Sequence, residues 1–182
     1  MQFTLHYEGR LPHRSKGNSN AKANVRECLE PQLRQLWTLP PLVYTNFLDP
    51  EPGNLSAIVH KHSQSFAAAI TESMKLAAEL DIMILKPEPA GGLVRRGDID
   101  NQLKVLLDAL SVPLAPGQIP GSMRRTSAAD PMYVLLEDDR LITRVNVESD
   151  RLLGAEDLDS VRLMIRVSTR PIAPIWANQM LA

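Results

Sequence analysis

Apolar and polar residues alternate along several segments of the chain, and this pattern predicts strands that are buried on one face. The segment QFTLHY, residues 2–7, alternates in this way. In residues 74–86 both sides of an extended chain carry apolar residues, which predicts a largely buried strand that ends at Pro87. Two short strands are predicted around the acidic turn LEDD, residues 136–139, and another is predicted for SVRLMIRVS, residues 160–168.

Apolar residues at helical spacing predict two helices. Residues 21–37 follow the 3.6-residue period, although Pro31 is expected to kink or divide this helix. A second helix is predicted over residues 99–111, with a core-facing stripe formed by Ile99, Leu103, Leu106 and Leu110. Residues 43–47 are expected to hold a short strand, whereas residues 56–72 fit either a helix or a strand, because short apolar runs do not settle the period.

Together these elements predict the α+β class, with a single domain over residues 1–182 in which a mixed β-sheet packs against helices. A chain of 182 residues can bury a sizeable core without disulfides. Residues 112–132 contain several prolines and no periodicity, so we expect a long mobile loop, and loops of that length are often functional. Residues 170–182 are expected to form a C-terminal tail, either as an edge segment or as a docking arm.

Composition and charge narrow the possible functional classes. The chain is 44% hydrophobic and 23% charged, which is typical of a globular protein. Its single cysteine, Cys28, excludes an intrachain disulfide and a zinc site built from paired thiolates. A signal peptide and a membrane-spanning segment are not recognisable, so a cytoplasmic protein with no membrane partner is expected. The formal net charge of −1 gives no overall attraction to nucleic acid.

Charged residues crowd the start of the second predicted helix, in GDIDNQLKVLLDAL. Asp100, Lys104 and Asp108 recur every four residues and form one polar row on the helix. Asp98 can face the same point as Asp100 only if its backbone is extended, because two residues of helix rotate a side chain by about 200°. Carboxylates held that close repel unless a cation neutralises them, and Mg²⁺ takes oxygen ligands. The turn at residues 136–139 is the candidate source of a third carboxylate.

A purely structural interpretation of the same residues stays open. Asp and Asn are common caps at helix starts and favour the helix dipole. Lys104 can form an ordinary ion pair with Asp100 or Asp108, and the acidic turn can be a solvated turn. Spacing alone therefore does not decide between a capped surface helix and a metal site.

The segments GDIDNQLKVLLDAL and LLEDDRLI together resemble the motifs of the RusA-type Holliday junction resolvases, a D-x-D-N-x-x-K helix start followed by an L-D-D turn. The resemblance implies a RusA-like fold and a homodimeric endonuclease that depends on Mg²⁺ or Mn²⁺. Such an enzyme, a hydrolase, cleaves phosphodiester bonds in branched DNA, above all in Holliday junctions, during DNA recombination and repair. The catalytic residues that it implies here are Asp98, Asp100, Lys104 and Asp139.

Roles for individual residues follow from this resemblance. Asp98, Asp100 and Asp139 are expected to bind the metal, with Asp138 as an additional or outer ligand. Lys104 is expected to stabilise charge on the reacting phosphate. Basic residues expected to contact DNA phosphates are Arg10, Arg14, Lys16, Arg95, Arg96, Arg124 and Arg125.

Two other functions are compatible with the sequence. One is a non-catalytic dimeric protein that keeps the fold and binds nucleic acid, and the other is a nuclease that acts on a different branched or flapped substrate. Among the remaining candidate residues, His60 and His62 are expected on one side of a strand, as surface residues rather than metal ligands. Trp37 and Trp176 are expected to pack in the core, and Cys28 is expected to be an inert buried thiol.

Overall fold

The structure, a computed structural model, describes residues 1–11, 18–51, 53–87, 98–124, 130–154, 157 and 160–181, and for residues 18, 19 and 98–100 it describes the backbone alone. The strands and helices are β1 (Gln2–Arg10), α1 (Asn18–Leu36), β2 (Ile58–Lys61), β3 (Gln64–Ile70), β4 (Leu76–Lys86), α2 (Asp98–Leu110), β5 (Met132–Leu136), β6 (Ile142–Arg151) and β7 (Ser160–Pro171). Short 3-10 helices lie at Leu42–Tyr44, Pro116–Gln118, Gly121–Met123, Asp139–Leu141 and Trp176–Leu181.

The strands form two mixed sheets. The larger sheet has the strand order β1-β7-β4-β6, in which β4 and β6 are parallel and the other neighbours are antiparallel. The smaller sheet has the order β2-β3-β5, in which β2 and β3 form an antiparallel hairpin and β5 runs parallel to β3. The predicted α+β class is confirmed, with two mixed sheets rather than one.

One face of the larger sheet is buried against the helices. In β7 the alternate residues Val161, Leu163, Ile165 and Val167 are at most 3% exposed, while the residues between them point away from the core. Helix α2 supplies a core-facing stripe in which Leu106 and Leu110 are buried as their spacing predicts. The main core therefore lies between the larger sheet and the two helices.

Several local predictions are wrong. Residues 43–47 hold a 3-10 helix at Leu42–Tyr44 instead of a strand, directly after two prolines that cannot donate to a sheet. Helix α1 continues through Pro31, so the division that was one of the two expected effects of this proline does not occur. An interior proline costs about 3 kcal/mol through a lost hydrogen bond and a clash with the carbonyl four residues earlier, and burial of Leu29 and Leu33 on either side offsets this cost.

Two segments without a clear period in the sequence, residues 56–72 and 112–132, both contain buried residues in their described parts. Residues 56–72 form the β2–β3 hairpin, whose turn contains His62 and Ser63 at positive φ. In the described part of the 112–132 segment, Ile119 and Met123 are buried with residues of the smaller sheet.

The C-terminal tail docks on its own chain. Asn178 is fully buried and donates from Nδ2 to the carbonyls of Met74 (3.0 Å) and Ala173 (2.9 Å). The N-terminal amine donates to Leu181 O at 2.6 Å. Trp176 lies on the outside of this tail and is 89% exposed, so the prediction that it packs in the core is wrong, whereas Trp37 is buried as predicted. None of the helices in the described ranges is long and apolar enough to cross a membrane.

Candidate functional site at the end of helix α2

The two motif segments meet where helix α2 ends. Strand β5 lies beside β3, with Leu136 opposite Ile70, and the next residue, Glu137, donates its N–H to Ile70 O at 3.0 Å. Immediately after α2, Ser111 forms a parallel bridge with Leu136, and Val112 donates its N–H to Leu136 O at 3.0 Å. Segments that are far apart in the sequence are therefore joined through their backbones.

The acidic turn, residues 137–139, is ordered by its own side chains. Asp138 caps the short 3-10 helix Asp139–Leu141 and accepts hydrogen bonds from the N–H of Arg140 (3.0 Å) and from Arg140 Nε (2.9 Å). The side-chain hydrogen bond from Arg140 is the main cause that lowers the pKa of Asp138. Glu137 Oε2 accepts the N–H of Glu72 at 2.9 Å, and Asp139 is exposed. Asp138 therefore carries a charge that Arg140 balances, while Asp139 faces solvent.

Helix α1 supplies two cations to the end of α2. Lys22 Nζ lies 2.5 Å from Asp108 Oδ2, and both side chains are less than a fifth exposed. One turn further along α1, the buried Arg26 donates to the carbonyl oxygens of Asp108, Ser111 and Gln118. A cation at the carboxyl end of a helix is favoured by the helix dipole and satisfies carbonyls that have no partner within the helix. These contacts fix the position of α2 against α1.

Two clefts flank the acidic turn. The smaller is lined by Asp108 and Ser111 at the end of α2 together with residues 137–139. The larger, about 400 Å³, lies between the turn and the β2–β3 hairpin. Its charged lining consists of Lys61, Glu72, Glu137, Asp138 and Arg140. Both signs of charge are present, so the larger cleft suits a polar ligand better than a purely cationic or anionic one.

The first two predicted metal ligands, Asp98 and Asp100, belong to the start of α2, whereas the third, Asp139, lies in the acidic turn beside the other end of this helix. Helix α2 begins at Asp98, so the expectation that Asp98 lies in extended backbone is wrong, although the predicted helix start differs by only one residue. Asp100 to Asp108 corresponds to about 12 Å of helix axis, and the acidic turn with Asp139 lies beside the Asp108 end. Lys104 is exposed on the helix between them. The side chains of Asp98 and Asp100 lie outside the described residues.

A ready-made metal centre is not present in the described part of the chain, where no group of three or more His, Cys, Asp or Glu side chains could hold an ion. His60 Nδ1 contacts Ser65 Oγ (3.1 Å) and His62 Nε2 contacts Pro113 O (3.2 Å). His62 lies in the hairpin turn after β2, so the two histidines do not share one side of a strand as predicted. Cys28 is only partly buried.

Two of the basic residues predicted to contact DNA, Arg10 and Arg124, lie within the described ranges. Arg10 is exposed and pairs with Asp157 at 2.7 Å. Arg124 is exposed at the end of a 3-10 helix, where it follows the buried Met123. The others, Arg14, Lys16, Arg95, Arg96 and Arg125, lie outside the described residues.

Three residues of this site were not predicted as site residues: Lys22, Arg26 and Arg140. Lys22 and Arg26 are four residues apart on one predicted helix, and that spacing is a detectable signal for two cations on one face. Arg140 directly follows the acidic turn in the sequence, where a cation two residues after an aspartate can pair with it.

Comparison of the chain with known proteins found no matching family model, no matching curated protein and no matching solved structure. The resemblance to RusA-type resolvases therefore depends on the residues of the two motif segments alone.

Proposed function

We propose that this chain is a divalent-metal-dependent endonuclease that cleaves phosphodiester bonds in branched DNA, with the Holliday junction as its first candidate substrate. The sequence support is the pair of motif segments, GDIDNQLKVLLDAL and LLEDDRLI. The single structural observation that supports it is that the two segments are neighbours: Asp108 of the first and residues 137–139 of the second line one cleft. Two segments that resembled the family motifs only by chance would have no reason to lie next to each other in the fold.

Under this proposal the active surface is the polar row of α2 and the acidic turn next to it. Asp100, Lys104 and Asp108 recur every four residues, so this row extends along the helix for about 12 Å and ends at the turn. The exposed ammonium of Lys104 would bind a phosphate that lies on the row and would stabilise negative charge that develops on it during cleavage.

Mg²⁺ fits this surface only in part. We do not expect a single ion to use both Asp100 and Asp139, because carboxylate ligands lie about 2.0 to 2.6 Å from such ions and about 12 Å of helix axis separates Asp100 from Asp108, beside which the acidic turn lies. Asp100, alone or with Asp98, meets the usual requirement of Mg²⁺ for one or two carboxylates together with phosphate oxygens and water. Bound there, the ion would polarise the phosphate and favour ionisation of water. Asp138 and Asp139 then fall outside its ligand set.

Cleavage of a synthetic four-way junction in Mg²⁺ tests the proposal, with flap and duplex DNA as comparison substrates. We expect Asp100→Asn to lower the rate by more than the about 10- to 100-fold that loss of an outer metal partner costs. Lys104→Met is expected to lower it by about 100-fold or more, as removal of a charge-stabilising group does. Asp49→Asn is the matched control, because Asp49 is exposed and lies outside both motif segments. Unchanged cleavage by Asp100→Asn would show that the catalytic assignment is wrong.

A further variant, Asp139→Asn, distinguishes one shared site from two separate groups. If Asp139 and Asp100 were ligands of the same ion, Asp139→Asn and Asp100→Asn would be equally inactive. Their separation along α2 instead predicts that Asp139→Asn loses less than about tenfold, below the effect of Asp100→Asn.

A non-catalytic nucleic-acid-binding protein is the second candidate, and the ion pairs of the site favour it. Asp108 is paired with Lys22 and Asp138 with Arg140, so two acidic residues of the motif segments already have protein cations as partners. This candidate predicts that the wild-type protein retards branched DNA on a gel and cuts none of the substrates in Mg²⁺ or Mn²⁺. Cleavage that depends on Asp100 would exclude it.

A further inference from the structure

The larger cleft beside the acidic turn has the volume of a small-ligand site and a lining that is partly apolar. Its volume of about 400 Å³ lies within the range of about 300 to 1,000 Å³ that is usual for such sites. The apolar lining combines the buried Val112 and Leu141 with the half-buried Val59 and with Ile172, which is 57% exposed. A ligand in the cleft would cover the exposed surface of Ile172, so the lining favours a ligand with apolar groups.

Opposite charges lie on the two sides of this cleft. Strand β2 contributes Lys61, whose ammonium has no ion-pair or hydrogen-bond partner among the described residues. The acidic turn contributes Glu137, whose carboxylate accepts the backbone N–H of Glu72 but pairs with no cation in the described part of the chain. Glu72 is exposed and adds negative charge on the same side. The cleft therefore places a cation opposite carboxylates.

The other two charged residues of the cleft, Asp138 and Arg140, neutralise each other through an ion pair of 2.9 Å. A simple anion in the cleft would meet the ammonium of Lys61 but would also lie near the carboxylate of Glu137, which repels it. A simple cation would meet Glu137 but would be repelled by Lys61. A ligand that carries both charges, with apolar groups between them, is complementary to the whole cleft.

We propose that the larger cleft binds a free dipeptide with apolar side chains. Its carboxylate pairs with Lys61, its ammonium pairs with Glu137, and its side chains lie on Val112, Leu141 and Ile172. A single amino acid fits less well, because its nitrogen and its carboxylate carbon are only about 2.5 Å apart, whereas an extended dipeptide separates them by about 6 Å. The longer separation suits charges that lie on two sides of the cleft and do not pair with each other.

Isothermal titration calorimetry with leucyl-leucine tests this inference. We expect a dissociation constant of about 0.1 to 1 mM for a ligand of this size. Lys61→Met and Glu137→Gln should each weaken binding by about 5- to 30-fold, because each removes one charge-assisted contact in a partly exposed site. Glutamine at position 137 keeps an oxygen that can accept the N–H of Glu72. Lys75→Met and Glu51→Gln are the matched controls, since both residues are exposed and neither lines the cleft.

Peptides with blocked ends distinguish direct contacts from damage to the fold. Leucyl-leucine amide lacks only the carboxylate, and N-acetyl-leucyl-leucine lacks only the ammonium. The wild type should bind leucyl-leucine about 5- to 30-fold more tightly than the amide. This preference should disappear in Lys61→Met and persist in Glu137→Gln, and the acetylated peptide should give the reverse pattern. A damaged fold would weaken the binding of all three peptides without changing the preference among them.

Three results would each overturn the inference. One is a wild-type protein that does not bind leucyl-leucine at about 10 mM, ten times the weakest expected dissociation constant. Another is a Lys61→Met variant that binds leucyl-leucine as the wild type does. The third is a preference for the free carboxylate that survives in Lys61→Met, because the carboxylate would then be bound elsewhere. The inference goes beyond the proposed nuclease activity and does not depend on it, since neither nucleic acid nor metal enters the measurement.

Discussion

Arg26 holds the end of helix α2 in place although its burial costs free energy. The side chain is 3% exposed and donates hydrogen bonds to the carbonyls of Asp108 and Gln118, the latter at 3.0 Å. Its Nε has no hydrogen-bond partner. Burial is the main cause that lowers the pKa of Arg26 to about 10, and the carboxylate of Asp108 opposes this shift.

The substitution Arg26→Met sets two effects against each other. Loss of the buried charge relieves about 3 kcal/mol, which is the cost implied by a pKa of about 10 at about 1.4 kcal/mol for each pKa unit. The same substitution removes the two shorter charge-assisted hydrogen bonds, to the carbonyls of Asp108 and Gln118, and each contributes about 2 to 3 kcal/mol, in the upper part of the range for a charged group. The loss of about 4 to 6 kcal/mol exceeds the gain of about 3 kcal/mol, so we expect the free energy of unfolding to fall by about 1 to 3 kcal/mol.

Urea unfolding, followed by circular dichroism, measures this change. A slope of about 2 kcal/mol per molar urea converts the expected loss into a midpoint that is lower by about 0.5 to 1.5 M. Arg124→Met is the control, because it removes an exposed arginine and should leave the midpoint nearly unchanged. An Arg26→Met variant as stable as the wild type, or more stable, would refute the reasoning, since the desolvation cost would then exceed the contribution of the hydrogen bonds.

Two further predictions concern the C-terminal tail and the acidic turn. Asn178→Ala leaves the carbonyls of Met74 and Ala173 without their donor, so we expect the free energy of unfolding to fall by about 2 to 4 kcal/mol. Limited proteolysis should become faster within the tail than elsewhere in the chain. Unchanged proteolysis of the tail would contradict this prediction. For Asp138, the hydrogen bond from Arg140 lowers the pKa in the folded state, so its contribution is present above about pH 4, the ordinary range of an aspartate, and is lost as pH falls through the lowered pKa. Thermal unfolding should therefore show wild type more stable than Asp138→Asn at neutral pH and equal to it in strong acid, and a difference that persists in acid would count against the pairing.

Strong periodicity made part of the fold predictable. In β7 every second residue is apolar, and the buried positions follow that alternation, as at Leu163 and Ile165. In α2 the apolar spacing predicted buried residues such as Leu106 and Leu110, and the structure confirms both. Such segments are predictable because the burial of one face decides both the element and its orientation.

Other segments were not predictable because non-local contacts decide them. Residues 64–70 are a buried strand that lies between two others, so both of its faces are apolar and no period shows. Trp176 is a residue type that is usually buried, but in the docked tail it is Asn178 that is buried, while Trp176 is 89% exposed. The parallel pairing of β5 with β3 joins strands that are separated by β4 and α2, and nothing local in the sequence signals it.

The separation between Asp100 and Asp139 is likewise set by residues that belong to no motif. Near the start of α2, Gln102 accepts a hydrogen bond from Lys86 at the end of β4. The acidic turn leads into Ile142, which pairs with Ala78 near the other end of the same strand. Eight residues of strand span about 27 Å, so the start of α2 and the acidic turn approach β4 at opposite ends. A motif specifies residue types and their spacing in the sequence, whereas the distance between the carboxylates depends on how β4 and α2 are packed and oriented in the fold. For this reason we expect Asp100→Asn and Asp139→Asn to differ in activity even though the sequence pattern groups them.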